Sequence, residues 1–221
     1  VKYDLIQVFK SVFLEVDMKS VNINRDDALK LLMDYNKDAF HIRHGITVEQ
    51  VMKVFAQNSG NEDESEYWGL VGLLHDLDYE MYPDEHCVKV VEILKNHDIE
   101  QEFIDSICSH GYDHRVSIKP EHIMEKTLYA VDELTGLVGA CALMRPSKSC
   151  KDMELKSLKK KFKDKKFAAG CNRDIILRGA EMMGIDIDDL LQKTLDAMKQ
   201  SEDIVNSEMS RLGLEYVGKF L

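Results

Sequence analysis

Apolar residues recur at spacings of three and four along nearly the whole chain, and little interrupts them: 221 residues include three prolines and twelve glycines. That combination predicts a stack of amphipathic helices and leaves little room for a sheet. Leu5, Val8, Phe9, Val12 and Phe13 predict a first helix. Asn24 reads as an N-cap ahead of Leu29, Leu32 and Met33. A helix over 40–57 carries His44, Val48, Val51 and Phe55 on one face. Past the loop Asn58-Ser59-Gly60-Asn61, a helix over 64–74 turns Trp68, Val71 and Leu74 inward and ends at His75-Asp76. Pro83 follows a short connector and Asp84 reads as the cap of a helix with His86, Val90 and Ile93 on one face. Further helices are expected over 100–109, 121–144, 172–183 and 186–200, with a basic, linker-like segment ahead of Asn172. The expected fold class is all-α.

At 44% hydrophobic, the chain can bury one sizeable core with room for a small appendage. Its net charge of −11 repels nucleic-acid backbones, so no nucleic-acid duplex is expected as a partner. Residues 151–166 run the other way, with eight lysines against Asp152, Glu154 and Asp164. A solvated helix face explains that run, in preference to a rim that draws in an anion. Five cysteines, an odd number without a Cys-x-x-Cys pair, argue against a disulfide framework and fit a reducing cytoplasm. The start, Val1-Lys2-Tyr3, shows no secretory pattern. The most apolar stretch, 130–144, contains Asp132 and Glu133 and is too short for a bilayer, so no membrane partner is expected.

The chemistry lies in an ordered series: His44, His75-Asp76, His86, His110 and Asp132. Imidazole nitrogens and carboxylate oxygens are the usual ligands of catalytic first-row metals, and a mixed set leaves open positions for water and substrate. Taken singly, His44 reads better as a satisfied core histidine than as a ligand. Asp132 does not fit that account, because a carboxylate inside an apolar helix needs a cation or several donors. One metal explains the whole set.

The segments Arg43-His44-Gly45-Ile46, Gly72-Leu73-Leu74-His75-Asp76-Leu77-Asp78-Tyr79-Glu80 and Val131-Asp132-Glu133-Leu134-Thr135-Gly136-Leu137 together resemble the HD superfamily of metal-dependent phosphohydrolases. The likeness runs from about residue 24 to residue 200. It takes in Leu143-Met144-Arg145-Pro146-Ser147-Lys148-Ser149 and the 162–173 stretch, which are similar to a bacterial and archaeal group of predicted HD hydrolases. The His-Asp doublet alone is a weak signal; the ordered four-residue motif is specific. The resemblance implies a single HD-domain helical bundle over 24–145, with a helical extension over 1–23 before it and another over 146–221 packed on it. It implies one divalent ion on His44, His75, Asp76 and Asp132, with manganese, iron, cobalt, nickel and zinc not distinguished.

Some HD proteins use further histidines for a second ion, and His86 and His110 look like these, with Asp76 shared. The HD-GYP cyclic-dinucleotide phosphodiesterases have paired histidines where this chain has His110-Gly111, and a lysine where it has Tyr79. Their GYP signature is also absent, so cyclic-dinucleotide hydrolysis is not implied. The implied reaction is phosphomonoester or phosphodiester hydrolysis of a nucleotide or other small phosphorylated substrate through metal-activated water. Asp78 or Glu80, just past the doublet, is a candidate proton relay beside Asp76, although loop solvation explains both equally well. Arg145 and Lys148 are candidates to hold the substrate phosphate, against the alternative that they dress a helix C-terminus. His114 and His122 read as surface histidines. Two other classes stay open: a di-iron HD-fold oxygenase, and a non-catalytic metal- or nucleotide-binding sensor.

Overall fold

The computed structural model describes residues 21–214, and among these described residues it has nine α-helices. They are α1 (Arg25–Tyr35), α2 (Ala39–Asn58), α3 (Ser65–Leu74), α4 (Lys89–Lys95), α5 (Gln101–Cys108), α6 (Ile123–Leu143), α7 (Leu155–Lys163), α8 (Arg173–Met183) and α9 (Ile187–Arg211). The fold is all-α; among the described residues the only β feature is an isolated bridge between Tyr112 and Val116. None of these helices is long and apolar enough to cross a membrane. The helix expected through Leu5 and Phe13 lies outside the described residues.

Side-chain caps start five of these helices. Asn24 accepts from the Asp27 amide, Asp38 from Phe40, Asn172 from Asp174 and Ile175, and Asp186 from Asp188. Each satisfies a backbone donor that the first turn leaves without a partner. His122 caps α6 in a reciprocal box with Glu125, so it is a half-buried structural group rather than the surface histidine expected. Gly184, in the left-handed conformation, ends α8 at the expected place.

Helix α2 is the hub. It packs on α3, α6 and α9, while α1 also meets α3 and α8 meets α6. It can do so because Ile42, Ile46, Val48, Val51, Met52 and Phe55 bury more than one of its faces. Helices α2 and α3 come unusually close. A Cβ at Gly45 would lie 3.0 Å from the Leu73 carbonyl oxygen, and one at Gly72 would lie 2.9 Å from the Val48 carbonyl oxygen. The two glycines remove the obstacle at this crossing, and it brings His44, next to Gly45, against His75, one turn beyond Gly72. Arg25 binds α1 to α2 and α9 through the buried Glu49 (2.8 Å) and Glu208 (2.7 Å).

Further expectations are corrected. Asp84 does not cap a helix: it lies in a single 3-10 turn, Pro83–Glu85, and α4 starts later, at Lys89. His86 therefore precedes α4 and is not on its face. The segment before Asn172 is not a linker, because α7 buries Leu158 and turns its lysines outward. Helix α9 does not stop at Gln200; Ser201, Val205 and Met209 continue its buried stripe to Arg211, and the first breaker is Gly213.

Candidate metal centre

Three helices bring the four-residue motif together. His44 stands on α2, Asp132 on α6, and His75-Asp76 at the C-terminal end of α3, where the chain turns. His44 Nε2 lies 3.0 Å from Asp132 Oδ1 and 3.2 Å from His75 Nε2. His75 Nε2 is 3.3 Å from both Asp132 Oδ1 and Asp76 Oδ2, and Asp76 Oδ2 is 3.6 Å from His44 Nε2. These four residues lie within range to hold a metal ion.

A second group adjoins the first through the same carboxylate. Asp76 Oδ1 lies 3.5 Å from His86 Nε2 and 3.7 Å from His110 Nε2, and those two nitrogens are 3.1 Å apart. His86, Cys87 and His110 form another set within range to hold an ion. Asp76 thus presents one oxygen to each set.

Hydrogen bonds on the far side of three rings fix their tautomers. His75 Nδ1 donates to the Gly72 carbonyl at 2.8 Å and His110 Nδ1 to the Ile107 carbonyl at 2.6 Å, since a carbonyl only accepts. His86 Nδ1 donates to Asp78 Oδ1 at 2.8 Å. In the neutral rings each Nε2 is then a bare lone pair, and it faces other lone pairs. Outer partners of this kind are what orient histidine ligands and make them more basic.

The electrostatics follow from this crowding. Burial alone would strip the charge from His75, but the Asp76 and Asp132 carboxylates outweigh it and hold its pKa up at about 10. Burial likewise opposes charge on His86, where Asp78 foremost holds the pKa at about 9. His110 is raised well above the usual imidazole range against the same burial cost. Asp76 and Asp132 fall well below the ordinary carboxylate range, because the imidazoles beside them overcome the cost of desolvation. The centre therefore holds positive charge avidly, and in the metal-free chain protons supply it. Glu133, next to Asp132, moves the other way: burial and then the Asp132 charge push its carboxyl up to about 7.

The remaining candidates fall elsewhere. Asp78 is fully buried and is no solvated loop residue; its second oxygen accepts from the Val90 amide at 2.8 Å, so it orients His86 and caps α4 from a distance. Glu80 is engaged by groups outside the centre. Its Oε2 takes the Lys37 and Asp38 amides and His41 Nδ1, clamping the α1–α2 turn. Both were candidate proton relays, and these partners occupy them otherwise. Arg145, a candidate phosphate holder, forks onto Asp152 through Nε and Nη2. Lys148 donates to the Leu143 carbonyl at the end of α6, the helix-end role that the sequence also allowed, while lining a cavity that reaches His44. His114 is exposed, as expected.

That cavity measures about 1300 Å³ and runs between α2, α6 and α9, with Phe40, Leu143, Met198 and Val205 among its apolar walls and Arg43 and Lys148 among its polar ones. Cys87 is the member of the second group that sequence reasoning does not single out. The available signal was its position directly after His86. The chain matches no protein-family model, no curated protein and no solved structure.

Proposed function

We propose that the chain is a metal-dependent phosphohydrolase whose centre carries two ions sharing Asp76. The observation that carries this reading is the placement of the Asp76 carboxylate between two sets of inward lone pairs, His44 and His75 on one oxygen and His86 and His110 on the other. Four imidazoles and two carboxylates buried this close need positive charge among them, which either protons or metal ions supply. The same donors, nitrogen and carboxylate oxygen, suit a catalytic first-row metal.

In this reading His44, His75, Asp76 and Asp132 would hold one ion, and Asp76, His86 and His110 would hold the other. A bound divalent ion supplies a lowered pKa for coordinated water and polarises a phosphoryl oxygen. The residues do the rest. Asp76 and Asp132 bring two negative charges, so the loaded centre keeps net positive charge for a phosphate. The Gly72 and Ile107 carbonyls and Asp78 hold three rings with Nε2 inward. His75, His86 and His110 are buried and wall off the back of the centre, whereas His44, Asp76 and Asp132 are partly exposed and form its open side. A cavity of about 1300 Å³ reaching His44 is roomy enough for a nucleotide-sized substrate.

The test is a phosphatase and phosphodiesterase screen of the metal-stripped protein, with manganese, iron, cobalt, nickel and zinc restored one at a time. Turnover of a phosphate ester, lost together with bound metal in Asp76→Ala, supports the proposal. Oxygen consumption by the iron form without hydrolysis would assign the centre to a di-iron oxygenase, and tight nucleotide binding without turnover in any metal would assign it to a sensor.

A further inference from the structure

We propose that the Cys87 thiolate is a protein ligand of the second ion, which makes that position a thiophilic site. The inference rests on the reading of Asp76, His86 and His110 as metal donors and names the class of ion they take. Cys87 Sγ lies 3.6 Å from His110 Nε2, and His86, Cys87 and His110 offer three ligand atoms all within 4.8 Å of one another. Bonds of about 2.0–2.1 Å to nitrogen and about 2.3 Å to sulfur at tetrahedral angles imply donor–donor edges of roughly 3.3–3.6 Å. The 3.1 Å between the two imidazole nitrogens and the 3.6 Å from nitrogen to sulfur are close to those edges.

Two features of the backbone are spent on seating this thiol. Cys87 has φ of 65°, the left-handed region that a non-glycine residue rarely enters. That conformation lies between the Pro83–Glu85 turn and α4, and Cys87 there is 1% exposed, beside His86 and His110. Opposite it stands Gly111. A Cβ at 111 would fall 2.6 Å from Cys87 Sγ, so the space the sulfur occupies exists only because position 111 has no side chain. A cysteine buried merely as a small apolar group needs neither device.

The chemistry of the donor set then separates the two positions. His44, His75, Asp76 and Asp132 offer nitrogen and oxygen alone, suited to several first-row ions. A thiolate with two imidazoles favours zinc, and cobalt as its substitute, over manganese or magnesium. On loading, Cys87 gives its proton to solvent and its sulfur lone pair to the ion, with no change of oxidation state.

The 221-residue chain, stripped of metal, is titrated with Co²⁺ while near-ultraviolet absorption and bound metal per chain are recorded for the parent and Cys87→Ser, with circular dichroism to confirm that both are folded. The parent is expected to develop thiolate-to-cobalt charge-transfer absorption as it loads two ions. Cys87→Ser should lose that absorption and bind the second ion at least about tenfold more weakly, while still loading the first. Two ions bound by the parent without the band would overturn this inference and leave the proposed centre standing. So would a band or a second-ion affinity unchanged in Cys87→Ser. A parent that binds no ion at all would overturn both. Should Cys87→Ser fail to fold, Gly111→Ala supplies the reading, because its Cβ displaces the sulfur without removing it. Expected there is a weakened band and a weaker second ion, and a parent-like titration counts against the inference.

Discussion

Replacing Asp78 by asparagine tests the centre from behind. The Asp78 carboxylate is fully buried and each of its oxygens serves one donor, His86 Nδ1 at 2.8 Å and the Val90 amide at 2.8 Å. Asparagine keeps the shape but has one acceptor oxygen, so one of these buried donors must face an amide NH2. Leaving a buried donor unsatisfied costs about 1–3 kcal/mol, and Asp78→Asn should destabilise the metal-free protein by that amount in urea unfolding. Asp78→Ala orphans both donors and should cost about 2–5 kcal/mol, less than additive because the α4 start can relax. Releasing the His86 ring should weaken the second ion by roughly 10–100-fold in a chelator competition, with the first ion little affected. A carboxylate that only solvated its loop would change stability by less than about 0.5 kcal/mol on becoming asparagine. If Asp78→Asn is as stable as the parent, or more so, and loads both ions equally well, the outer-partner role is refuted.

Other outcomes follow from the same geometry. Arg25→Ala should cost about 3 kcal/mol in chemical denaturation, because Glu49 stays fully buried and, among the described residues, Lys53 at 3.2 Å is the cation left to offset its charge. Gly72→Ala puts a methyl 2.9 Å from the Val48 carbonyl oxygen; forcing α2 and α3 apart should cost about 1–3 kcal/mol and weaken the first ion, read by thermal unfolding and metal titration. Metal loading should release protons. His75 is held protonated up to about pH 10 in the metal-free chain, so an ion that takes its Nε2 at pH 7 must expel a proton, and affinity should rise with pH between neutrality and 10. Calorimetry in buffers of different ionisation enthalpy measures that release, and a pH-independent affinity would contradict it.

What could be read from the sequence followed local rules. Asn24, Asn172 and Asp186 were legible as caps because a cap depends on a residue and the turn after it. His44, His75, Asp76 and Asp132 were legible as a set through their order, and they do meet although His44 and Asp132 are 88 positions apart. What failed depended on distant partners. Asp84 has the composition of a cap, but Asp78 already holds the α4 amide from twelve residues away. Glu80 sits next to the motif in sequence, yet its carboxylate is taken up by the Lys37 and Asp38 amides, more than forty residues earlier in the chain. Arg145 found its partner in Asp152, whose own placement depends on the turn after α6. Beyond its place next to His86, Cys87 carried no signal, because its seating depends on a left-handed φ and on Gly111, and neither is visible without the chain's path.

Protonation alone is a poor account of the centre. One proton per interface could quiet the lone pairs, and the raised imidazole pKa values show the centre drawing protons in. A structure needing only stability would then be a buried ion-pair network, and such networks are often no more stable than apolar side chains of the same volume. The chain supports this one with outer hydrogen bonds on three of its rings, one of them to the buried Asp78 carboxylate, and with a glycine crossing that sets His44 against His75. Those bonds do not neutralise the inward lone pairs; they aim them. Aiming several lone pairs at shared points is costly for a folded chain that holds only protons there, and it is what a metal site needs. Stability measured with and without ions separates the two accounts: a metal centre gains stability with each ion at concentrations above its dissociation constant, and an ion-pair network gains none.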